Sequence, residues 1–204
     1  MSNGPAAAIV LAGGGGRRLG GVDKPALRAG RRTLLEVALG AVPGVPTVVV
    51  GPARSVPSGI VVVREDPPGA GPAAAVAAGL IALPPALPAL SPVALLAADL
   101  PALDTAAIAA LCARLDEPDG PAGAVLLDAR GRWQWLIGVW RLRPLIDAVG
   151  RRSDWAGRSL RELLGPLDAV PVRGHERAAV DVDTPDDLPS LVTGEAREVD
   201  GDRL

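Results

Sequence analysis

With 204 residues, 21 of them basic and 23 acidic, the chain suits a single domain with a real core and has no charge excess to draw it to nucleic acid or an acidic membrane surface. No apolar run approaches the roughly 20 residues that span a bilayer, and no basic segment precedes the first apolar stretch as it would in a secretion signal. A single cysteine, Cys112, rules out an internal disulfide and fits a reducing compartment, so the expectation is a cytoplasmic protein.

The first apolar run, residues 6–11, ends in a series of glycines and reads as a buried strand. Thr33-Leu-Leu-Glu36 has the spacing of a capping box, in which two side chains satisfy each other's backbone N–H groups, and predicts a helix to about Val42. The Val-rich stretches 47–50 and 60–64 lack polar alternation, as expected of strands covered on both faces. A loop through Asp66 and Gly71 leads into an Ala-rich helix at 72–83, and the four prolines between 84 and 92 enforce a loop. A strand at 93–98 and a helix at 104–115 follow. Strands are expected at 125–128 and 135–140, helices near 142–149 and 158–164, and short strands at 170–172 and 178–182. Thr184-Pro-Asp-Asp187 marks one more helix start, by capping box and by proline in the first turn. Residues 1–192 are thus expected to form one domain and 193–204 a polar, frayed tail.

Strand and helix patterns alternate through the first 115 residues. That predicts an α/β fold, a doubly wound and mostly parallel sheet with helices on both faces. Ligands of such sheets bind outside the carboxyl ends of the strands. The glycine-rich segment, Asp66, Asp99 and the segment after Val182 all follow strand ends, so they are expected to share one crevice.

The segment with Gly13, Gly14, Gly15, Gly16, Gly20 and Gly21 lets backbone N–H groups approach phosphate without a Cβ in the way. It also carries Arg17, Arg18 and Lys24, the only lysine in the chain, as cations for a triphosphate. Two common phosphate loops do not fit. The Walker pattern needs glycine before the lysine, where Asp23 stands, and no starting position supplies the dinucleotide glycine spacing. Asp99, at the end of a buried strand, is a hard oxygen ligand suited to Mg²⁺ or else the cap of the following turn. Asp183 is the candidate for a second carboxylate, because it follows a strand and precedes a capped helix; Asp181 reads as structural. His175 belongs to an exposed loop, Cys112 reads as a small buried hydrophobe, and Arg132 reads as a surface arginine or a ligand contact. Trp133 and Trp135 alternate along a strand and serve core packing, an interface or a planar ligand.

Leu11-Ala-Gly-Gly14, Arg18, Gly20-Gly21 and Asp23-Lys24-Pro25 resemble the signature of the molybdenum cofactor guanylyltransferases within the nucleotidyltransferase superfamily. The resemblance continues through Glu65-Asp66, Gly71-Pro72, Ala98-Asp99-Leu-Pro101 and Asp181-Val-Asp-Thr-Pro-Asp-Asp-Leu188, covering residues 6–191. It implies a single Rossmann-like nucleotidyltransferase domain that moves GMP from GTP to the phosphate of molybdopterin and releases pyrophosphate. Leu11, Ala12, Gly13 and Gly14 would contact the nucleotide through their backbone. Arg18 and Lys24 would hold the triphosphate, Asp66 and Gly71 would help bind the nucleoside, and Asp99, with Asp183, would bind Mg²⁺. Arg158 reads as a surface arginine or, by the resemblance, matches a family position near the second substrate. Partners would be GTP, molybdopterin and, transiently, proteins that deliver or receive the cofactor, with no nucleic acid or membrane.

The chain departs from the family at several places. Gly16 and Leu19 stand where Ser and Met are frequent, Asp181 and Asp183 where Asn is frequent, and Gly51 where some members carry a nucleotide-contacting Asn. Pro72 is followed by Ala73 rather than Leu. Cytidylyl transfer to molybdopterin, or nucleotidyl transfer to a sugar phosphate, are the enzymatic alternatives. A nucleotide-binding module without turnover is the third, and the presence of both Lys24 and Asp99 speaks against it.

Overall fold

The first strand, β1 (Ala7–Leu11), is buried along its whole length, and its side chains alternate between two separate cores. Ala8 and Val10 enter one core, while Ala7, Ile9 and Leu11 enter the other, as the two-residue period of a strand requires. Such a strand belongs in the middle of a sheet covered on both sides. The computed structural model, which describes residues 4–13, 23–117 and 119–180, has this arrangement.

The remaining strands, in chain order, are β2 (Arg28–Ala29), β3 (Arg32–Thr33), β4 (Thr47–Val50), β5 (Val61–Val63), β6 (Pro92–Ala97), β7 (Gly123–Leu127), β8 (Trp133–Arg141) and β9 (Ala169–Val172). Strands β2 and β3 form a small antiparallel ribbon of their own. The others make one seven-stranded sheet in the order β5-β4-β1-β6-β8-β7-β9. Only β8 opposes the rest, pairing antiparallel with both β6 and β7. Helices α1 (Leu34–Gly40) and α3 (Thr105–Cys112) cover one face. Helices α2 (Pro72–Ile81), α4 (Leu142–Val149) and α5 (Leu160–Leu164) cover the other.

Local sequence explains the helix starts. The Thr33 hydroxyl accepts from the Glu36 N–H at 3.1 Å, and the Glu36 carboxylate accepts from the Thr33 N–H at 2.6 Å. This is the expected capping box, and such a cap contributes about 1 kcal/mol. The same bonds hold the Glu36 carboxyl below its ordinary pKa. Ser159 and Glu162 repeat the arrangement at α5. Helix α2 packs close on the sheet because Gly79 has no Cβ, which would otherwise press into Ile9 and Val50.

With four tryptophans as the only Phe, Tyr or Trp residues, the core is Ala, Val, Leu and Ile apart from Cys112, Trp140 and Trp155. Trp140 is fully buried, and its ring occupies the space that side chains on Gly123 and Gly138 would fill. Trp135 stacks toward it at a centroid distance of 6.3 Å, and Trp133 stacks on Trp135 at 5.2 Å. The half-buried pair therefore extends the core, in line with the packing alternative.

Several expectations need correction. Strand β5 is an edge strand, with Val61 48% exposed, rather than one covered on both faces. The last helix of the described region starts at Leu160, because Ser159 caps it, rather than at 158. The expected strand at 178–182 is, over its described part, a 3₁₀ turn at Glu176–Ala179. Ala178 and Ala179 are apolar because they bury in the core against β7, not because they pair in the sheet. Helix α2 ends at Ile81, two residues early. The ribbon of β2 and β3 was not foreseen.

Candidate functional site

Because β5, β4, β1 and β6 are parallel neighbours, their carboxyl ends share one edge of the sheet. The backbone ties these ends together. The Ala12 N–H donates to the Val50 carbonyl at 2.8 Å, the Gly51 N–H to the Val63 carbonyl at 2.9 Å, and the Ala98 N–H to the Leu11 carbonyl at 3.0 Å. Leu11, Ala12 and Gly13 thus leave β1 flanked by Gly51 on one side and by Ala98-Asp99 on the other. Asp99 is half-buried at this edge.

The loop from β5 to α2 is organised from within. The Glu65 carboxylate, only 9% exposed, accepts from the Gly69 N–H at 2.9 Å, and the Ala70 N–H donates to the Pro67 carbonyl at 3.0 Å. Gly71 then caps α2 with φ of +98°, a left-handed conformation that favours glycine. Asp66 is exposed on this loop. The segment before α5 docks against the loop, with the Gly157 N–H donating to the Ala70 carbonyl at 2.7 Å. The Arg158 side chain is paired with Glu162 at 3.2 Å on that segment.

Lys24 opens a 3₁₀ turn at Lys24–Ala26, directly after Asp23. Arg54, in the loop after β4, joins this turn to the end of β1. Its Nη2 donates to the Ala12 carbonyl at 2.8 Å and lies 3.4 Å from the Asp23 carboxylate, and its Nε donates to the Pro52 carbonyl at 3.3 Å. The Arg54 side chain is 11% exposed.

Leu11, Ala12, Gly13, Asp66, Gly71 and Asp99 therefore lie along one edge, and Lys24 is linked to it through Asp23 and Arg54. Gly14, Arg18, Asp181 and Asp183 lie outside the described residues. Sequence reasoning missed Arg54. The only signal was an arginine four residues past a strand end, in a chain where nearly every cation is arginine.

The start of β8 and the hairpin at 128–132 lie on the same edge, since Ile137 of β8 pairs with Leu96 near the end of β6. Asp128 holds this hairpin. It accepts from the Arg130 and Arg132 N–H groups, each at 2.9 Å, from Arg132 Nε at 2.7 Å and from Gln134 at 3.1 Å. These bonds, led by the Arg132 backbone, hold its carboxyl below the ordinary value. Arg132 is thereby paired at the hairpin. No thiol nucleophile is in reach, because Cys112 is buried on α3, where burial pushes its pKa up to about 11.

The sheet is that of a nucleotidyltransferase. Residues 8–170 match the MobA-like NTP transferase domain, and the chain belongs to that family. Among solved structures it is similar to Molybdopterin-guanine dinucleotide biosynthesis protein A from Archaeoglobus fulgidus, with 19% identity, TM-score 0.68, and 92% of this chain and 97% of that chain covered. It is likewise similar to the homologue of Mycobacterium tuberculosis Rv0371c from Mycobacterium sp. strain JC1, with 23% identity, TM-score 0.66, and 92% and 95% covered. A third is 2-C-methyl-D-erythritol 4-phosphate cytidylyltransferase from Thermus thermophilus, with 22% identity, TM-score 0.61, and 91% and 96% covered. No curated protein sequence matches significantly. Among the described residues, no helix is long and apolar enough to cross a membrane.

Proposed function

We propose that the protein is a molybdenum cofactor guanylyltransferase, transferring GMP from GTP to the phosphate of molybdopterin. The observation that carries this reading is the gathering of Ala12-Gly13, the Gly71-capped loop and Asp99 at one sheet edge in a chain of the MobA-like family. In the reaction an oxygen of the acceptor phosphate attacks the α-phosphorus in line. The bond from the α-phosphorus to the bridging oxygen breaks, and pyrophosphate leaves with that oxygen's electrons. Such chemistry needs positioning and charge neutralisation but no protein nucleophile, which agrees with the inert Cys112.

In this reading the backbone of Leu11, Ala12, Gly13 and Gly14 and the loop bearing Asp66 and Gly71 bind the nucleoside. Lys24 and Arg18 hold the triphosphate. Among the described residues no group of three or more His, Cys, Asp or Glu side chains that could hold a metal ion occurs. A carboxylate at a strand end does fit Mg²⁺ that arrives with a nucleotide, since that ion takes one or two carboxylates and fills its shell with phosphate and water. Asp99, with Asp183 as the candidate second ligand, would hold the ion, which neutralises charge on the phosphates when bound.

The family resemblance links Leu-Ala-Ala-Gly at the first motif with cytidylate transfer, so Gly13 in Leu11-Ala-Gly-Gly14 supports the choice of guanine. An alanine Cβ at this position would meet Gly51 Cα at 3.4 Å, an ordinary contact, so packing alone does not demand glycine there. Cytidylyl transfer remains the second reading, favoured by the comparable likeness to the Thermus thermophilus cytidylyltransferase.

A melting-temperature panel with GTP, CTP, ATP and UTP plus Mg²⁺ reports nucleotide choice directly, since preferential binding raises apparent stability. GTP is expected to give the largest shift, and Gly13→Ala to reduce its lead over CTP. A larger shift with CTP would replace guanylyl by cytidylyl transfer. Pyrophosphate release from GTP and molybdopterin is expected to fall on the order of a hundredfold in Asp99→Asn and to be strongly reduced in Lys24→Ala. Asp183→Asn is expected to be much milder, because an amide oxygen can still reach the ion. Full activity of Asp99→Asn would overturn the metal assignment.

A further inference from the structure

We propose that Arg54 is a positioning residue of the triphosphate site, tying the end of β1 to the residue before Lys24 and screening Asp23 from the incoming phosphates. This rests on the nucleotidyltransferase reading of that edge. Gly13 and Asp23 are ten positions apart, yet one guanidinium reaches both the carbonyl just before the glycine-rich stretch and the carboxylate just after it.

The two contacts differ in weight. The bond to the Ala12 carbonyl is 2.8 Å long and made by a side chain only 11% exposed. Charge-assisted bonds of that kind are the strong ones. The contacts to Asp23, at 3.4 and 3.5 Å, reach a side chain that is 56% exposed. An exposed pair of this length holds the chain weakly. Its importance lies in charge, since Asp23 sits beside the only lysine and would repel a polyphosphate if left uncompensated.

Two consequences follow. Holding the turn that carries Lys24 against the carboxyl end of β1 beforehand leaves less of the site to be positioned on binding. Screening Asp23 helps in proportion to the ligand's negative charge, so a triphosphate gains more from Arg54 than a monophosphate does. A purely structural arginine would have no such dependence on phosphate number.

The test is calorimetric titration of GTP, GMP, CTP and CMP with Mg²⁺ into wild type, Arg54→Ala, Arg54→Lys, Asp23→Asn and the double variant Arg54→Ala/Asp23→Asn. Arg54→Ala is expected to weaken triphosphate binding about tenfold and monophosphate binding clearly less. The double variant is expected to regain part of the triphosphate loss, because the uncompensated carboxylate is gone. Arg54→Lys is expected to fall between, since one ammonium satisfies fewer acceptors than the planar fork. Equal weakening of tri- and monophosphates, or no weakening, overturns the proposal. If Arg54→Ala does not fold, the Arg54→Lys comparison of tri- with monophosphate decides by the same criterion. A wild type that binds neither triphosphate overturns the nucleotidyltransferase reading itself, whereas wild-type binding with an indifferent Arg54 variant overturns only this one.

Discussion

Gly51 lies so close to Ala12 that a Cβ on it would stand 2.8 Å from the Ala12 carbonyl carbon and oxygen. Those are backbone atoms at the end of a buried strand, and they cannot swing aside as a flexible side chain would.

Gly51→Ala is accordingly expected to cost about 1–3 kcal/mol, the usual range for forcing extra atoms into a packed site. Gly13→Ala is the matched control, because its Cβ meets only ordinary contacts at 3.4 and 3.7 Å. Urea unfolding of the two variants measures the difference. Similar midpoints for both would mean that the strand ends move apart readily, and that Gly51 is there for some other reason.

Asp128 provides a pH-dependent element of stability. Its carboxyl titrates below the ordinary aspartate value because backbone and side-chain donors from the hairpin favour the charged form. A folded-state pKa below the unfolded one makes the contribution complete above about pH 3.9 and progressively lost below it, until the folded carboxyl is itself protonated. Asp128→Asn is expected to be less stable than wild type at pH 7, and the gap is expected to narrow toward pH 3. Denaturant midpoints across that interval would check it. A gap that stays constant would show that the charge is irrelevant to the hairpin.

Cys112 is expected to resist alkylation at pH 8, because burial raises its thiol to about 11 and the reactive thiolate is scarce. Iodoacetamide labelling should therefore follow opening of the core and accelerate with denaturant in step with unfolding. Rapid labelling of the native protein would contradict the packing of α3 against the sheet.

Much of the sheet was legible because β1, β4 and β6 sit under helices on both sides and must be apolar throughout. The box of Thr33 and Glu36 was legible because a cap is a local matter of spacing. Arg54 was not. Its partner is the carbonyl of Ala12, 42 residues upstream, and nothing local distinguishes it from the other arginines. The reversal of β8 was hidden for a similar reason, since strand direction depends on which neighbour a segment finds. Ala178 and Ala179 misled because burial against a sheet and pairing within it select the same small apolar residues. That Gly13, Asp66 and Asp99 share one sheet edge was legible because each follows a strand end, whereas Leu11, Ala12 and Gly71 entered only through the family resemblance. Gly14, Arg18 and Asp183 are outside the described residues.

The position of β8 has a consequence for how the protein is made. The four parallel strands are complete at residue 97, but the outer neighbour of β6 is only present once residues 133–141 have been synthesised. Until then the nascent chain presents residues 93–96, all fully buried in the finished protein, along an unpaired edge. Such edges are templates for joining other chains. At ribosomal rates of about 5–20 residues per second the interval lasts roughly two to nine seconds. Yield in a heterologous host should thus depend on chaperones that bind extended apolar segments, and on how quickly the codons between β6 and β8 are read.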